Sequence, residues 1–264
     1  MTKKKVLVSG CNGHMGQIVC RLIDESSDFH VEYGIDPKCN ILPFESQCEY
    51  DKKNFHICYG LEDEEVLEAL PDIIIDFSSP DATMNLLCSA VKLSVPIVIA
   101  TTGFSAEQEK KILEAANVIP IFKSSNMESN ITLLKNTVQM LAPHLTDCDI
   151  EILETHHNRK KDAPSGTALL LANAIKEALA GSEKKIVYGR TGQREQNEIG
   201  ISSIRGGNIV GEHTIFFYGK HETLELKHTA YSREGFAEGA LNAARFLLEQ
   251  TTPGLYTMDD MISL

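Results

Sequence analysis

Three glycines, Gly10, Gly13 and Gly16, follow a short apolar run at residues 4–9. The run KKVLVS is rich in β-branched residues, as in a strand that is covered on both faces of a sheet. The segment after the glycines has the periodicity of an amphipathic helix. Glycines at such a junction permit a tight turn, and the helix N-terminus can then face a phosphate group. Three glycines alone are a weak signal, but the flanking strand and helix favour a nucleotide-binding unit.

Strands and helices alternate along the chain as far as residue 127. Further strands are predicted at 29–36, 56–59, 71–80, 94–104 and 118–127, and helices at 62–70, 81–93 and 105–117. Asp81 is the predicted cap of its helix, and Ser105 with Gln108 has the pattern of a capping box. The alternation predicts an α/β fold with a Rossmann-like, doubly wound parallel sheet.

Four groups of residues fall where these strands end, which is the edge at which such sheets bind ligands. Their convergence on one edge predicts a site for a dinucleotide, NADH or NADPH. The candidate cofactor-binding residues are Gly10, Cys11, Asn12, Gly13, His14, Met15, Asp36, Ala100, Thr101, Thr102, Ser124, Ser125, Asn126 and Met127.

Asp36 bears on the choice between the two cofactors. It ends the second predicted strand, where a carboxylate can reach the adenosine ribose. The alternative interpretation is a turn residue before Pro37. Lys38, two residues further on, could approach a 2′-phosphate, so the choice stays open with a preference for NADH.

The pattern changes from about residue 130. A long helix at 130–145 and a strand at 149–157 precede a helix, a polar loop at 189–200 and three strands of an antiparallel sheet. The closing helix at 233–250 has an apolar stripe. These features predict a second, α+β domain with a mostly antiparallel sheet. We expect a dinucleotide-binding domain at 1–128 and 234–264 and a substrate-binding and oligomerisation domain at 129–233, with closure about the two crossings.

The stretch Glu154–Thr167, ETHHNRKKDAPSGT, combines proton donors with a helix start. Ser165 or Asp162 can cap the helix that follows, which leaves backbone N–H groups near Gly166 and Thr167 for an anion. Imidazole and ammonium groups are the usual proton carriers near neutral pH. The stretch therefore predicts a carboxylate pocket with proton donors beside it; the alternative is a solvated basic loop that caps a core helix.

This stretch closely resembles the signature of the 4-hydroxy-tetrahydrodipicolinate reductase (dihydrodipicolinate reductase) family. The signature reads Glu, one variable residue, His-His, two variable residues, Lys, one variable residue, then Asp-Ala-Pro-Ser-Gly-Thr-Ala. The resemblance continues over much of the chain, at Asp76–Ser78, Thr101–Phe104, Ser124–Met127, Arg205–Gly207 and Gly211–His213. Three residues depart from the family pattern: His14 stands for Arg, Ala100 for Gly and Met127 for Phe.

The resemblance implies reduction of a cyclic imine dicarboxylate by hydride from NADH or NADPH. It implies that His156 and Lys160 are catalytic, with Lys160 as the proton donor and His156 in an acid/base or partly electrostatic role. It also implies that His157, Gly166 and Thr167 bind the substrate and that the C-terminal sheet builds a homotetramer. We interpret His213, His221 and His228 as residues of a sheet face and not as ligands.

Composition limits the remaining classes. The formal net charge of −12 disfavours a nucleic-acid partner, and no apolar stretch is long enough to predict a membrane span. The basic N-terminus runs straight into a strand and is not typical of a signal peptide. Seven cysteines without a CxxC pair indicate reduced thiols, a cytoplasmic protein and no metal site. Two alternatives stay open: another two-domain dehydrogenase, and a redox sensor that binds the cofactor without chemistry.

Overall fold

The computed structural model describes residues 2–36, 55–58, 60–179, 181 and 183–262. The chain divides into two compact units, one formed by Met1–Glu128 with Glu234–Ser263 and the other by Ser129–Arg233. The contact predicted between Lys38 and a 2′-phosphate concerns a residue that lies outside the described ranges.

The strands and helices of both units follow the chain in a regular order. The strands are β1 (Lys4–Ser9), β2 (Phe29–Ile35), β3 (His56–Ile57), β4 (Ile73–Asp76), β5 (Ile97–Ile99), β6 (Pro120–Lys123), β7 (Asp149–His156), β8 (Lys185–Tyr188), β9 (Glu198–Arg205), β10 (Gly211–Tyr218), β11 (Thr223–Ala230) and β12 (Gly254–Tyr256). The helices are α1 (His14–Glu25), α2 (Glu64–Glu68), α3 (Pro80–Leu93), α4 (Ala106–Ala115), α5 (Ser129–Leu141), α6 (Gly166–Ala178), α7 (Glu234–Leu248) and α8 (Met258–Met261), with a 3₁₀ turn at Ala142–His144.

The first unit is built on a parallel sheet with the strand order β12-β6-β5-β4-β1-β2-β3. Both faces of this sheet carry an apolar core. Val6 and Val8 of β1 pack on one side with α1 and α7, whereas Leu7 packs on the other side with residues of α3 and α4. The predicted doubly wound parallel sheet is therefore confirmed, and its near-continuous apolar strands have the expected reason, burial on both faces.

The second unit contains a five-stranded sheet with the order β11-β10-β7-β9-β8. Strand β10 pairs antiparallel with β7 and β11, as the predicted α+β sheet requires, whereas β9 pairs parallel with β7 and β8. One face of the sheet is covered by α5 and α6, and the core between them includes Ile152, Leu171 and Ile215. Strand β7 lies at the centre, and it delivers the signature stretch to one end of this sheet.

The structure corrects the predicted cap of one helix and the number and bounds of some strands. Helix α3 begins at Pro80 with Ser79 as its N-cap, so the predicted cap at Asp81 is wrong. Proline suits the first helical position because its missing N–H has no helical partner there. Strands β8 and β12 were not predicted, and β9 begins inside the predicted loop at 189–200. The capping box of Ser105 and Gln108 is confirmed.

In the part of the chain that the structure describes, no helix combines the length and the apolar character needed to cross a membrane.

Candidate active site

Glu154 lies at the centre of the site in the second unit. It is fully buried on β7, and alternation along the strand places His156 on the same face. His156 Nδ1 lies 2.6 Å from Glu154 Oε2. Since an ionised carboxylate only accepts, the imidazole donates from Nδ1, and its Nε2 atom is left for another partner.

Arg205, the last residue of β9, balances the buried charge. Parallel pairing places it opposite His156, and its Nη1 and Nη2 atoms donate to Glu154 Oε2 and Oε1 at 2.8 and 2.6 Å. Burial by itself raises the pKa of Glu154, but the hydrogen bonds from His156 and Arg205 outweigh it and hold that pKa well below its usual range. The carboxylate therefore stays ionised and keeps the imidazole oriented.

The same carboxylate also positions the start of α6. Ser165 N donates to Glu154 Oε1 at 3.1 Å, and Ser165 Oγ caps the helix by accepting from Ala168 N at 3.2 Å. The next residue, Gly166, is the first of the helix and is exposed, and a Cβ there would meet nothing within 4 Å. Of the two predicted caps, the structure thus uses Ser165, and the helix N-terminus is open to an anion at Gly166.

His213 joins this network from β10. Its Nε2 atom lies 3.0 Å from Ser165 Oγ, and its ring meets that of His156 edge-on at 5.2 Å. Burial is the main cause that lowers the pKa of His213 to about 3, so the ring is neutral at physiological pH. It lies on the sheet, as predicted, and its hydrogen bond to the capping serine gives it a positioning role.

Lys160 and His157 lie in the loop after β7. Lys160 Nζ is 2.9 Å from Asp162 Oδ2, and the backbone N–H of Lys160 donates to the carbonyl oxygen of His157 at 3.2 Å. Desolvation, then the positive charges of Arg159 and Arg233, lowers the pKa of His157, which favours a neutral ring. The loop thus holds the ammonium group of Lys160 and the neutral imidazole of His157 within a few residues of the α6 N-terminus.

In the first unit, the glycine-rich turn has the shape that the sequence predicts. Gly10 has φ of +78°, and Gly13 N donates to Gly10 O at 2.9 Å. A Cβ on Gly16, inside α1, would lie 2.0 Å from Gly10 O, so only glycine fits there. Helix α1 has Gly13 as its N-cap and no side-chain cap. A glycine turn that leads straight into a helix N-terminus fits the pyrophosphate of a dinucleotide.

Asp36 stands directly after β2, beside this turn. Its Oδ2 atom accepts from Asn12 N at 3.1 Å, and the residue lines a cavity of about 460 Å³ together with Gly10, Gly60 and Ser78. A cavity of this size next to a glycine turn fits the adenosine half of a dinucleotide.

The other predicted cofactor residues differ in what they expose. The side chains of Cys11 and Met127 are buried in the apolar core, and that of Met15 packs against it. The side chains of His14, Thr102 and Ser125 are exposed. Among the remaining residues, Ala100, Thr101, Ser124 and Asn126, backbone or hydroxyl groups hold the loops after β5 and β6 together.

Two roles were missed at the sequence level, those of Glu154 as the common acceptor and of Arg205 as its partner. Both residues belong to motifs that resemble the family, so the resemblance could have indicated them. The spacing of nearby residues could not, because 51 residues separate Glu154 from Arg205.

A doubly wound sheet with a glycine turn, together with an α+β unit whose helix α6 is capped by Ser165, defines the class of two-unit Rossmann-like proteins. The fold recurs in a probable dehydrogenase from Thermotoga maritima, which is 10% identical with a TM-score of 0.59 over 97% of this chain and 92% of that one.

Family models narrow this class. The models described as dihydrodipicolinate reductase, N-terminus, and dihydrodipicolinate reductase, C-terminus, match residues 4–127 and 130–262. The chain belongs to the dihydrodipicolinate reductase family, which confirms the resemblance of the signature.

Full-length relatives agree with this assignment. A 4-hydroxy-tetrahydrodipicolinate reductase of Caldanaerobacter subterraneus subsp. tengcongensis is 46% identical over 261 residues, with 98% of each chain covered. One from Clostridium botulinum is 42% identical over 263 residues, with the same coverage. A dipicolinate-bound dihydrodipicolinate reductase from Paenisporosarcina sp. TG-14 shares the fold, with a TM-score of 0.82 and 24% identity over 99% of this chain and 100% of that one.

Proposed function

We infer that this chain reduces 4-hydroxy-2,3,4,5-tetrahydrodipicolinate to tetrahydrodipicolinate with NADH or NADPH, in the diaminopimelate route to lysine. Full-length relatives at up to 46% identity carry this activity in their names. The observation that supports it most directly is the signature stretch itself. Its carboxylate Glu154 joins the imidazole of His156 to the N-terminus of α6, so a proton carrier and an anion site are held by one group.

The substrate is a dianion, and we propose that the N-terminus of α6 receives one of its carboxylates. The N–H groups of Gly166 and Thr167 and the ring of His157 are the proposed contacts. Two features support this assignment: Ser165 fixes the turn, and Gly166 has no Cβ to obstruct the approach of a ligand.

Lys160 is the proposed proton donor to the substrate. Its ammonium group rests on Asp162, whose pKa is lowered chiefly by that hydrogen bond. This ion pair limits the movement of the Lys160 side chain. We propose that His156 faces the substrate with Nε2, because Nδ1 is engaged by Glu154. It then serves as an acid/base group or as an electrostatic stabiliser of the charge that develops on the substrate.

The reduced nicotinamide supplies the hydride when it is bound. We propose that the turn Gly10–Met15 holds the pyrophosphate, that Asp36 holds the adenosine ribose, and that Ala100–Thr102 and Ser124–Met127 lie along the nicotinamide half. Asp36 favours NADH, since a carboxylate accepts from ribose hydroxyls and repels a 2′-phosphate.

We further propose the roles of the two parts of the chain. Residues 1–128 and 234–264 form the dinucleotide-binding domain, and residues 129–233 form the substrate-binding and oligomerisation domain. The enzyme is proposed to be a cytoplasmic homotetramer. Sedimentation of the purified protein measures its assembly, and a monomer at micromolar concentration would contradict the tetramer.

One assay tests the activity. The hydroxy-tetrahydrodipicolinate is generated in situ from pyruvate and aspartate semialdehyde by its synthase, and the absorbance of NADH or NADPH is followed at 340 nm. We expect oxidation that requires the synthase, with NADH preferred. Oxidation with aspartate semialdehyde alone would favour a different dehydrogenase. Binding of the cofactor without consumption under any of these conditions would favour a redox sensor.

A further inference from the structure

A buried carboxylate in the first unit has no part in the chemistry described above. Asp76 has no exposed surface and is the last residue of β4, the central strand of the parallel sheet. Within the described residues, no lysine, arginine or histidine forms an ion pair with it. A carboxylate in such a place is costly unless donors surround it, so its partners identify what it does.

Three hydroxyl groups surround this carboxylate. Ser78 Oγ donates to Asp76 Oδ1 at 2.5 Å, and Thr83 Oγ1 and Thr101 Oγ1 donate to Oδ2 at 2.6 and 2.8 Å. The three donors come from three separate segments: the loop after β4, the first turns of α3 and the loop after β5. Asp76 therefore ties these segments to one point at the carboxyl edge of the sheet.

Thr101 extends this link. Its Oγ1 atom accepts from Ser78 N at 3.0 Å while it donates to Asp76. The single hydroxyl proton of Thr101 is thereby directed at Asp76, and the proposed cofactor contact of this residue falls to its backbone. The two loops after β4 and β5 thus hold each other in place through one threonine.

The same loop also supports the glycine turn. A Cβ on Gly10 would lie 2.5 Å from the carbonyl oxygen of Phe77, so the turn packs directly on the backbone between Asp76 and Ser78. Ser78 and Gly10 line the same cavity beside Asp36. A shift of the Phe77–Ser78 backbone would therefore change both the glycine turn at Gly10 and the loop at Thr101.

We propose that Asp76 is a positioning residue for the dinucleotide, which acts through Ser78 and Thr101 and never touches the cofactor. This inference rests on the proposed use of NADH or NADPH by the first unit. Asp76→Asn keeps the shape but puts an NH₂ group where hydroxyl donors now converge. Leaving buried partners unmatched in this way typically weakens an interaction about tenfold to a hundredfold.

Cofactor binding without substrate is the direct measurement, by titration of NADH and NADPH fluorescence with the full-length enzyme. We expect Asp76→Asn to raise the Kd of the preferred cofactor at least about tenfold. In turnover assays, the KM for the cofactor should rise in parallel. The kcat at saturating cofactor and the KM for the dicarboxylate should stay within about threefold, because Lys160 and His156 belong to the other unit.

Thr83 offers a milder pair of variants if Asp76→Asn folds poorly. Thr83→Val is close in shape and removes one donor, and we expect a rise of about threefold to tenfold in the cofactor Kd. Thr83→Ser keeps the hydroxyl and should bind like wild type. Ile112→Val, in the buried face of α4, is the control for a loss of stability alone, and it should lower Tm without changing the Kd.

The outcomes separate the two proposals. Wild-type protein that binds neither cofactor would overturn the proposed function, and this inference with it. Wild-type binding together with unchanged binding by Asp76→Asn and Thr83→Val would overturn the positioning role alone. The positioning role would also be overturned if Thr83→Val and Ile112→Val showed the same rise in cofactor Kd for the same loss of Tm, because the effect would then be one of stability.

Discussion

Arg205 holds Glu154 by two hydrogen bonds, with Nη1 at 2.8 Å from Oε2 and Nη2 at 2.6 Å from Oε1. The two residues come from neighbouring parallel strands, and the same carboxylate also accepts hydrogen bonds from His156 and from Ser165 at the start of α6. Because the contact is bidentate, the guanidinium of Arg205 both balances the charge of the Glu154 carboxylate and fixes its orientation, which a single hydrogen bond would not do.

Glu154→Gln should lower kcat roughly tenfold to a hundredfold, because the imidazole of His156 loses its charged acceptor and its orientation. The protein should also lose of the order of 3 kcal/mol of stability, since Arg205 is left without its counter-charge. Steady-state kinetics and thermal unfolding measure the two effects. Asp28→Asn breaks a comparable bidentate pair with Arg245 in the first unit and should leave kcat within about twofold. Equal kcat losses in both variants would contradict the positioning role of Glu154.

Lys160→Ala should lower kcat about a hundredfold or more while the Kd for the cofactor stays unchanged, because the proposed proton donor is lost and the nucleotide site is not altered. Lys161→Ala is the matched control, since its side chain is the same, adjacent and exposed. Stopped-flow or steady-state rates with in situ substrate, together with cofactor titration, give both quantities. If the two lysine variants are equally active, Lys160 is not the donor.

Gly16→Ala should raise the KM for the cofactor roughly a hundredfold. Alanine inside a helix ordinarily stabilises by about 1 kcal/mol relative to glycine. Here the sign reverses, because the new Cβ would lie 2.0 Å from the carbonyl oxygen of Gly10 and would open the turn. Gly192→Ala, where a Cβ meets nothing within 4 Å, is the control. Normal cofactor binding by Gly16→Ala would show that the turn is not part of the nucleotide site.

Glu128 should make the stability of the protein fall as the pH rises from about 4.5 to 7. Burial raises the pKa of Glu128 to about 7 from an ordinary value of 4.5. The folded state therefore holds a proton that the unfolded state releases, so stability is highest below pH 4.5 and is lost as the pH passes through 7. Glu128→Gln stays neutral, and its advantage over wild type should grow over this window to the order of 2–3 kcal/mol.

Urea unfolding of wild type and Glu128→Gln at a series of pH values measures that difference. Glu249→Gln, at an exposed position in the same unit, should follow the wild-type curve. A difference between wild type and Glu128→Gln that is the same at pH 5 and pH 8 would contradict a raised pKa.

Sequence patterns predicted several local features correctly, although the cap of α3 was placed at Asp81 and lies at Ser79. The capping box at Ser105 was predicted from residues three positions apart, and Ser165 was one of the two predicted caps of α6. The doubly wound sheet follows from the alternation of apolar strands and amphipathic helices. The short edge strands were not predicted, because the four residues of β8 and the three of β12 are too few to show a recognisable periodicity.

The family, the parallel sheet and the start of α6 can be read from the order of the residues, because they depend on contiguous motifs and on the alternation of strands and helices. Only the folded chain shows that Arg205 and His213 complete the network of Glu154, and that Asp76 gathers hydroxyls from three segments. These contacts depend on which strands become neighbours and in what register. Register is a property of the whole sheet, so the pattern of one strand cannot specify its partner's side chains.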